Sequence, residues 1–210
     1  MRCLRFFAFA AVLIFAAHAA FAQTIPDALV EYRQGNFERA IQICRGEIAA
    51  NANNVESHVV ICWSLIRLRR YDEALRYART ARELSRYDPR IIEILGEVYY
   101  FQGSNRESLQ YFQEYVNLAP SGQRIENVYY YMGEIYIRMG KYRHADIALS
   151  TAVHWLPNNA VWWTRLAFAR ESAGDLAQSV AAYEKALTLD PQFSDARRGL
   201  DRVRSALANR

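Results

Sequence analysis

The chain of 210 residues carries a formal net charge of +4 and a sequence pI near 9.0. Charges of both signs are interspersed and no run of Lys or Arg exceeds two residues, which argues against a nucleic-acid footprint. The length suits one sizeable core or one repeat array.

The first predicted element stands apart from the fold. MRCLRFFAFAAVLIFAAHAAFA, residues 1–22, sets Arg2 and Arg5 before an almost uncharged apolar run and ends on Ala20, Phe21 and Ala22. A basic start holds the chain at the membrane, the apolar run inserts, and small residues fit the peptidase. That is the build of a secretory signal peptide, with cleavage between Ala22 and Gln23. An uncleaved anchor is the alternative, but the uninterrupted apolar stretch is short against the roughly 20 residues a span needs. Cys3 lies too early to be lipidated at a new N-terminus, and no cysteine follows the cleavage region. Without Arg2 and Arg5 the net charge is about +2, so the pI overstates how basic the chain is.

Thr24-Ile25-Pro26-Asp27 predicts a helix start, with Thr24 as the cap, proline in the first turn and an acid near the positive end. Downstream, five turns open at Gly35, Arg69, Gly103, Gly140 and Gly174, in steps of 34, 34, 37 and 34 residues. After the last three come FQEYVNLAP (112–120), LSTAVHWLP (149–157) and YEKALTLDP (183–191). Each is a helical apolar stripe closed by proline, whose ring pushes the preceding residue, such as Asp190, out of the helical region. A period of 34 predicts a solenoid of helix pairs. The units fall at 23–54, 55–88, 89–125, 126–159 and 160–193, with extra residues around Ser121–Arg124 making a longer loop or a slight bend.

The residues within the period carry a resemblance. Tyr129-x-x-Met132-Gly133-x-x-Tyr136, followed by Ala145-x-x-x-Leu149 and Pro157, resembles the tetratricopeptide repeat. Ile92-x-x-Leu95-Gly96-x-x-Tyr99 with Ser108-x-x-x-Phe112 and Pro120 does so again. Trp163-x-x-Leu166-Ala167 with Ser179-x-x-x-Tyr183 and Pro191 is a third match. The second unit fits at Ile61, Cys62 and Ala74 but has Arg86 where proline is expected; the first fits at Ala40 and Cys44 but departs at Glu47. The resemblance covers residues 24–193. It implies an all-α, right-handed superhelical solenoid of about five helix pairs, built to bind protein. The small residues Gly96, Gly133 and Ala167 on first helices and Ser108, Ala145 and Ser179 on second helices should face each other, because helices cross closely only where neither is bulky.

The C-terminal stretch 194–210 puts Ala196, Leu200, Val203 and Leu207 on one face, predicting a helix that caps the last unit. Arg198, Arg202 and Arg204 read as a solvated face, with a docking patch as the alternative.

Little in the chain signals chemistry. His58, His144 and His154 belong to no cluster of three or more His and Cys at metal-ligand spacing, so no metal is expected. No G-x-S-x-G, Walker-type loop or dinucleotide fingerprint is present, and no cofactor is expected. Glu93 and Glu97 share a helix face as an acid–base pair would, but without a partner constellation they predict no catalytic site. Cys44 and Cys62 lie nine residues either side of residue 53, the turn between the first two units. Export would place them in an oxidising compartment, so both a disulfide and a pair of buried free thiols remain open.

What remains is a surface. The resemblance implies that first helices line the concave side, which would carry Tyr32, then Val59, Trp63 and Ile66, then Glu93, Glu97, Tyr100 and Phe101. Tyr130, Glu134 and Ile137 follow, and Thr164, Phe168 and Glu171 close the series. The expected groove is aromatic and apolar with an acidic band, anchored by Tyr100 and Tyr130. It suits an extended or helical protein segment with apolar side chains between basic ones. Relatives that grip a terminal carboxylate use Lys, Arg and Asn on this face, where acids stand here. The functional reading is an exported protein–protein interaction scaffold or accessory subunit of a cell-envelope complex. It would reside in the periplasm of a two-membrane bacterium, or be secreted from a single-membrane one, and meet membranes only through a partner. A structural alternative is a solenoid that self-associates end to end through its short first unit. N-terminal sequencing of the exported protein is expected to read from Gln23; an intact Met1 would refute the cleavage.

Overall fold

Five helix pairs and a closing helix fill residues 27–209, the part that the computed structural model describes; the predicted signal peptide and Thr24 lie outside it. The first helices are α1 (Ala28–Arg33), α3 (Val55–Arg67), α5 (Pro89–Phe101), α7 (Ile125–Arg138) and α9 (Ala160–Ala173). Their seconds are α2 (Phe37–Ala50), α4 (Tyr71–Leu84), α6 (Asn105–Leu118), α8 (Tyr142–Trp155) and α10 (Leu176–Leu189). Helix α11 (Ser194–Ala208) closes the array, and no strand occurs among the described residues.

Every pair turns on a residue in the left-handed region. Gly35, Gly103, Gly140 and Gly174 have φ between +68° and +89°, and Arg69 takes +61° in the same slot. The reversal lets the next amide reach back to an orphan carbonyl of the first helix. Asn36 N donates to Glu31 O, Arg70 N to Leu65 O, Ser104 N to Tyr99 O, Lys141 N to Tyr136 O and Asp175 N to Arg170 O. Helix starts follow a second rule. Asn54, Asp88 and Asn159 cap α3, α5 and α9 with their side chains. The start of α1 corrects the expectation of a Thr24 cap. The Asp27 carboxylate accepts from Leu29 N and Val30 N, satisfying the free donors of the first turn itself.

Within each pair the small residues do allow close approach, and the bulk comes from one turn further along the second helix. A Cβ on Gly133 would sit 2.5 Å from Leu149 Cγ, and one on Gly96 would strike the Phe112 ring. The facing serines also bond: Ser108 Oγ donates to Gly96 O and Ser179 Oγ to Ala167 O, each at 2.8 Å. Gly199 in α11 makes the same concession to Tyr183. First helices pack side by side, α1 on α3 through to α9 on α11, while each second helix packs between its own first helix and the next. The first helices therefore form one continuous layer.

One expectation needs correction here, and one open alternative is decided. In α11, Ala196, Leu200 and Val203 are buried but Leu207 is 40% exposed, because the stripe runs out of partner surface. Cys44 and Cys62 are free, fully buried thiols rather than a disulfide. They stand in different packing columns: Cys62 occupies the slot of Gly96 and donates weakly to Ala74 O at 3.5 Å, while Cys44 occupies that of Phe112. Burial pushes the Cys44 thiol up to about 12 and the Cys62 thiol higher still.

Two outcomes follow from the packing. Arg69→Gly should raise stability by about 1 kcal/mol by relieving the left-handed strain, and Gly103→Ala should lower it by a similar amount, as read by chemical denaturation. In a chain beginning at Gln23, thiol titration in denaturant without reductant should count two free thiols.

Candidate partner-binding cleft

Between α1, α3, α5 and α7 the first-helix layer opens into a cleft of about 730 Å³. Its walls are aromatic. Tyr32 and Trp63 lie at 5.8 Å between ring centroids, and Phe101 stands at the rim, 39% exposed and stacked on Tyr71 at 5.1 Å. Ile66 and Tyr131 also line it.

The acids lie deeper. Glu93 and Glu97, one turn apart on α5, are 2% and 7% exposed. A buried carboxylate needs a partner, and the partner comes from the extra residues between α6 and α7. Arg124 ends that loop and sends Nε and Nη2 to Glu93 Oε1, at 3.1 and 2.8 Å, with Nη2 also 3.2 Å from Glu97 Oε1. The Tyr131 hydroxyl donates to Glu97 Oε1 at 2.8 Å. Tyr115 holds the loop in place: its hydroxyl accepts from Arg124 N at 3.2 Å, and a Cβ on Gly122 would collide with it. Burial, reinforced by the charge of Glu97, pushes the Glu93 carboxyl up to about 8; Glu97 is raised by burial as well.

The rest of the predicted face behaves unevenly. Tyr32, Trp63, Ile66, Glu93, Glu97 and Phe101 come together in the cleft as expected. Val59 is fully buried in the core instead, because α3 turns that side toward its neighbours. Tyr100, expected as an anchor, is 9% exposed: Tyr131 covers it at 4.7 Å and the Arg138 guanidinium lies 3.9 Å above its ring. Tyr130 is half-buried and stacked on Trp162 at 4.8 Å. Thr164 is buried, with its hydroxyl turned back to Ala160 O at 2.9 Å. Ile137 is half-buried against the C-terminal core, and Phe168 lines a smaller recess with Arg165 and Arg202.

The acidic band is also different from the expectation. Glu134 is gripped by Arg165 Nε and Nη2 at 2.6 and 3.0 Å, and Glu171 by Arg202 at 2.5 and 2.7 Å. With Glu93 and Arg124, three carboxylates meet an arginine 31 residues further on. For Glu134–Arg165 and Glu171–Arg202 the arginine lies one turn short of the 34-residue repeat, diagonally across the seam between helices, whereas Arg124 reaches Glu93 from the end of the longer α6–α7 loop. Arg124, Arg165 and Tyr131 are the site residues that sequence reasoning missed, and Arg202, expected on a solvated face, instead grips Glu171, although the recurring Glu-to-Arg interval of 31 was readable. Arg198 and Arg204 pair with Asp195 and Glu184, as a solvated face would.

Tetratricopeptide-repeat profiles match residues 63–123 and 163–193. No curated protein sequence matches the chain. Among solved structures, it is similar to PilF of Pseudomonas aeruginosa, with 15% identity, 86% of this chain and 81% of that one covered, and a TM-score of 0.75. PilW, described as a widely conserved type IV pilus biogenesis factor, gives 17% identity, coverage of 87% and 83%, and a TM-score of 0.73. YrrB, described as a tetratricopeptide-repeat protein with an unusual peptide-binding site, gives 17% identity, coverage of 80% and 84%, and a TM-score of 0.71. At these identities the likeness establishes the fold.

The buried acids give the stability a pH signature. Glu93 and Glu97 hold protons more tightly folded than unfolded, so their contribution is full below their ordinary value of 4.5; that of Glu93 is lost as pH rises through about 8, and that of Glu97 falls in the same direction. The lowered groups Glu56, Glu73, Asp88 and Glu171 act oppositely, below their ordinary values. Wild-type melting temperature should therefore fall between pH 5 and pH 8. Glu93→Gln should flatten that fall and exceed wild type at pH 8, with parallel profiles refuting the account. Arg124→Ala at pH 8 should cost about 3 kcal/mol by leaving the carboxylates unpaired.

Proposed function

Since the chain belongs to the tetratricopeptide-repeat family, we propose that it is an interaction scaffold holding a segment of a partner protein in the cleft between its first helices. The cleft itself carries this reading. Trp63, Tyr32 and Phe101 offer large, rigid contact area at low entropic cost, around a space wide enough for side chains of a bound segment. The likeness to YrrB, whose description names a peptide-binding site, supports the same use.

The finer reading is an exported accessory subunit of a cell-envelope complex. Its support is the Arg–apolar–Ala-Phe-Ala start and the likeness to PilW, a pilus biogenesis factor by its description. No described helix is long and apolar enough to cross a membrane. End-to-end self-association has less behind it: the outward side chains of α11, among them Arg197, Arg198 and Asp201, are exposed and charged, as in a terminal cap. Catalysis is not part of the reading, because Glu93 and Glu97 face Arg124 and Tyr131 rather than a nucleophile.

Capture of the partner from a native envelope extract tests the cleft. Trp63→Ala and Phe101→Ala should each weaken binding by more than about 1 kcal/mol with helical content unchanged. Tyr100→Ala, at a buried position, should instead lower stability. Normal binding by both of the first two variants would overturn the reading.

A further inference from the structure

Depth separates the two signs of charge on the first-helix layer. The side chains of Glu93, Glu97 and Glu134 are 2%, 9% and 12% exposed, while those of Arg124 and Arg165, which grip them, are 49% and 32% exposed. Each pair is stacked, carboxylate beneath and guanidinium above. Both arginines spend Nε and Nη2 on the acids, and among the described residues Nη1 of each has no protein acceptor.

Two further arginines stand at the ends of first helices. Arg67, at the end of α3, lines the cleft and has no ion pair or hydrogen bond among the described residues; its guanidinium lies 5.3 Å from the Phe37 ring. Arg138, at the end of α7, donates to Tyr100 O at 3.1 Å and meets no acid. The neighbouring acids are engaged elsewhere: Glu56 and Asp88 hold Arg90, Glu31 accepts from Asn36, and Glu126 accepts from Asn127. A ligand entering the cleft from solvent therefore meets the Arg67 and Arg124 guanidinium groups, set among Trp63, Phe101 and Tyr32 with donors to spare, while Arg138 stands over Tyr100 and Arg165 belongs to the smaller recess beside Phe168.

The geometry points to an acidic partner segment, with Asp or Glu side chains spaced between apolar ones, seated on the guanidinium layer of the cleft. This rests on the cleft being the binding site and reverses the basic partner expected from the sequence. Arginine offers paired donors to a carboxylate, and bonds in which both partners are charged are the stronger ones. Positive groups along the rim would also speed association and set the direction of the bound segment.

The probe is a random 12-residue peptide library displayed with its C-terminus fused, so that only side chains can supply carboxylates. Selected sequences are then made as amidated, fluorescein-labelled peptides. Expected results are enrichment of Asp and Glu over Lys and Arg, and affinity that falls with added salt. Binding should weaken by about tenfold in Arg67→Gln, and also in Trp63→Ala, with circular dichroism unchanged. Peptides without acidic enrichment, or no selected peptides at all, overturn the acidic partner. If basic or neutral peptides are selected and Trp63→Ala still weakens them, the cleft stands and only its partner chemistry falls. If acidic peptides bind all variants normally, both the cleft and this inference fall.

Discussion

Everything in this array hangs on how closely two antiparallel helices can approach. Gly96, Gly133 and Ala167 leave a gap on the first helix, Ser108, Ala145 and Ser179 leave one opposite, and Phe112 and Leu149 fill what remains. Bulk at the gap would push the pair apart, since close-packed interiors absorb extra volume poorly. Because the crossing recurs about every 34 residues, its geometry is inherited by the next pair. Side-by-side packing of first helices follows, and that layer is where the cleft forms.

The break in the period has the larger functional consequence. A spacing of 37 between Gly103 and Gly140 leaves room for a loop that Tyr115 holds down and that ends in Arg124. Its guanidinium enters the cleft and offsets two carboxylates that burial would otherwise penalise heavily. With the Glu93 carboxyl raised to about 8, it is largely protonated at pH 7, and Arg124 faces less negative charge than two carboxylates would carry. The cleft is thus apolar and aromatic in its walls, with its acids paired at depth and guanidinium groups at its open face.

The helical repeat was legible because it rests on local, recurrent signals. A left-handed turn wants glycine, a crossing wants small residues, and a proline ends a helix, wherever the chain goes afterwards. Even Arg69, which violates the glycine rule, stood at the right interval and turns as its counterparts do. Thr24 and Leu207 were misread where the pattern ends, since a cap or a buried face near a terminus depends on what neighbours are present.

The candidate site was only half legible, and the residues show why. Sequence placed Tyr32, Trp63, Glu93, Glu97 and Phe101 on one face, and they do share the cleft. Facing a common side does not decide depth. Tyr100 and Tyr130 look alike in sequence to Trp63, yet Tyr131, Arg138 and Trp162 from other positions cover them. The acids were read as free charge because their partners lie 31 residues away, across a seam that exists only once the helices pack. By itself the sequence determined the period, the helix pairs and the face they share, because those depend on backbone geometry and neighbours within one repeat. Only the tertiary structure decided which aromatics stay open, that the thiols remain apart, and that arginine rather than glutamate meets the solvent. Depth and charge pairing belong to residues brought together from different repeats.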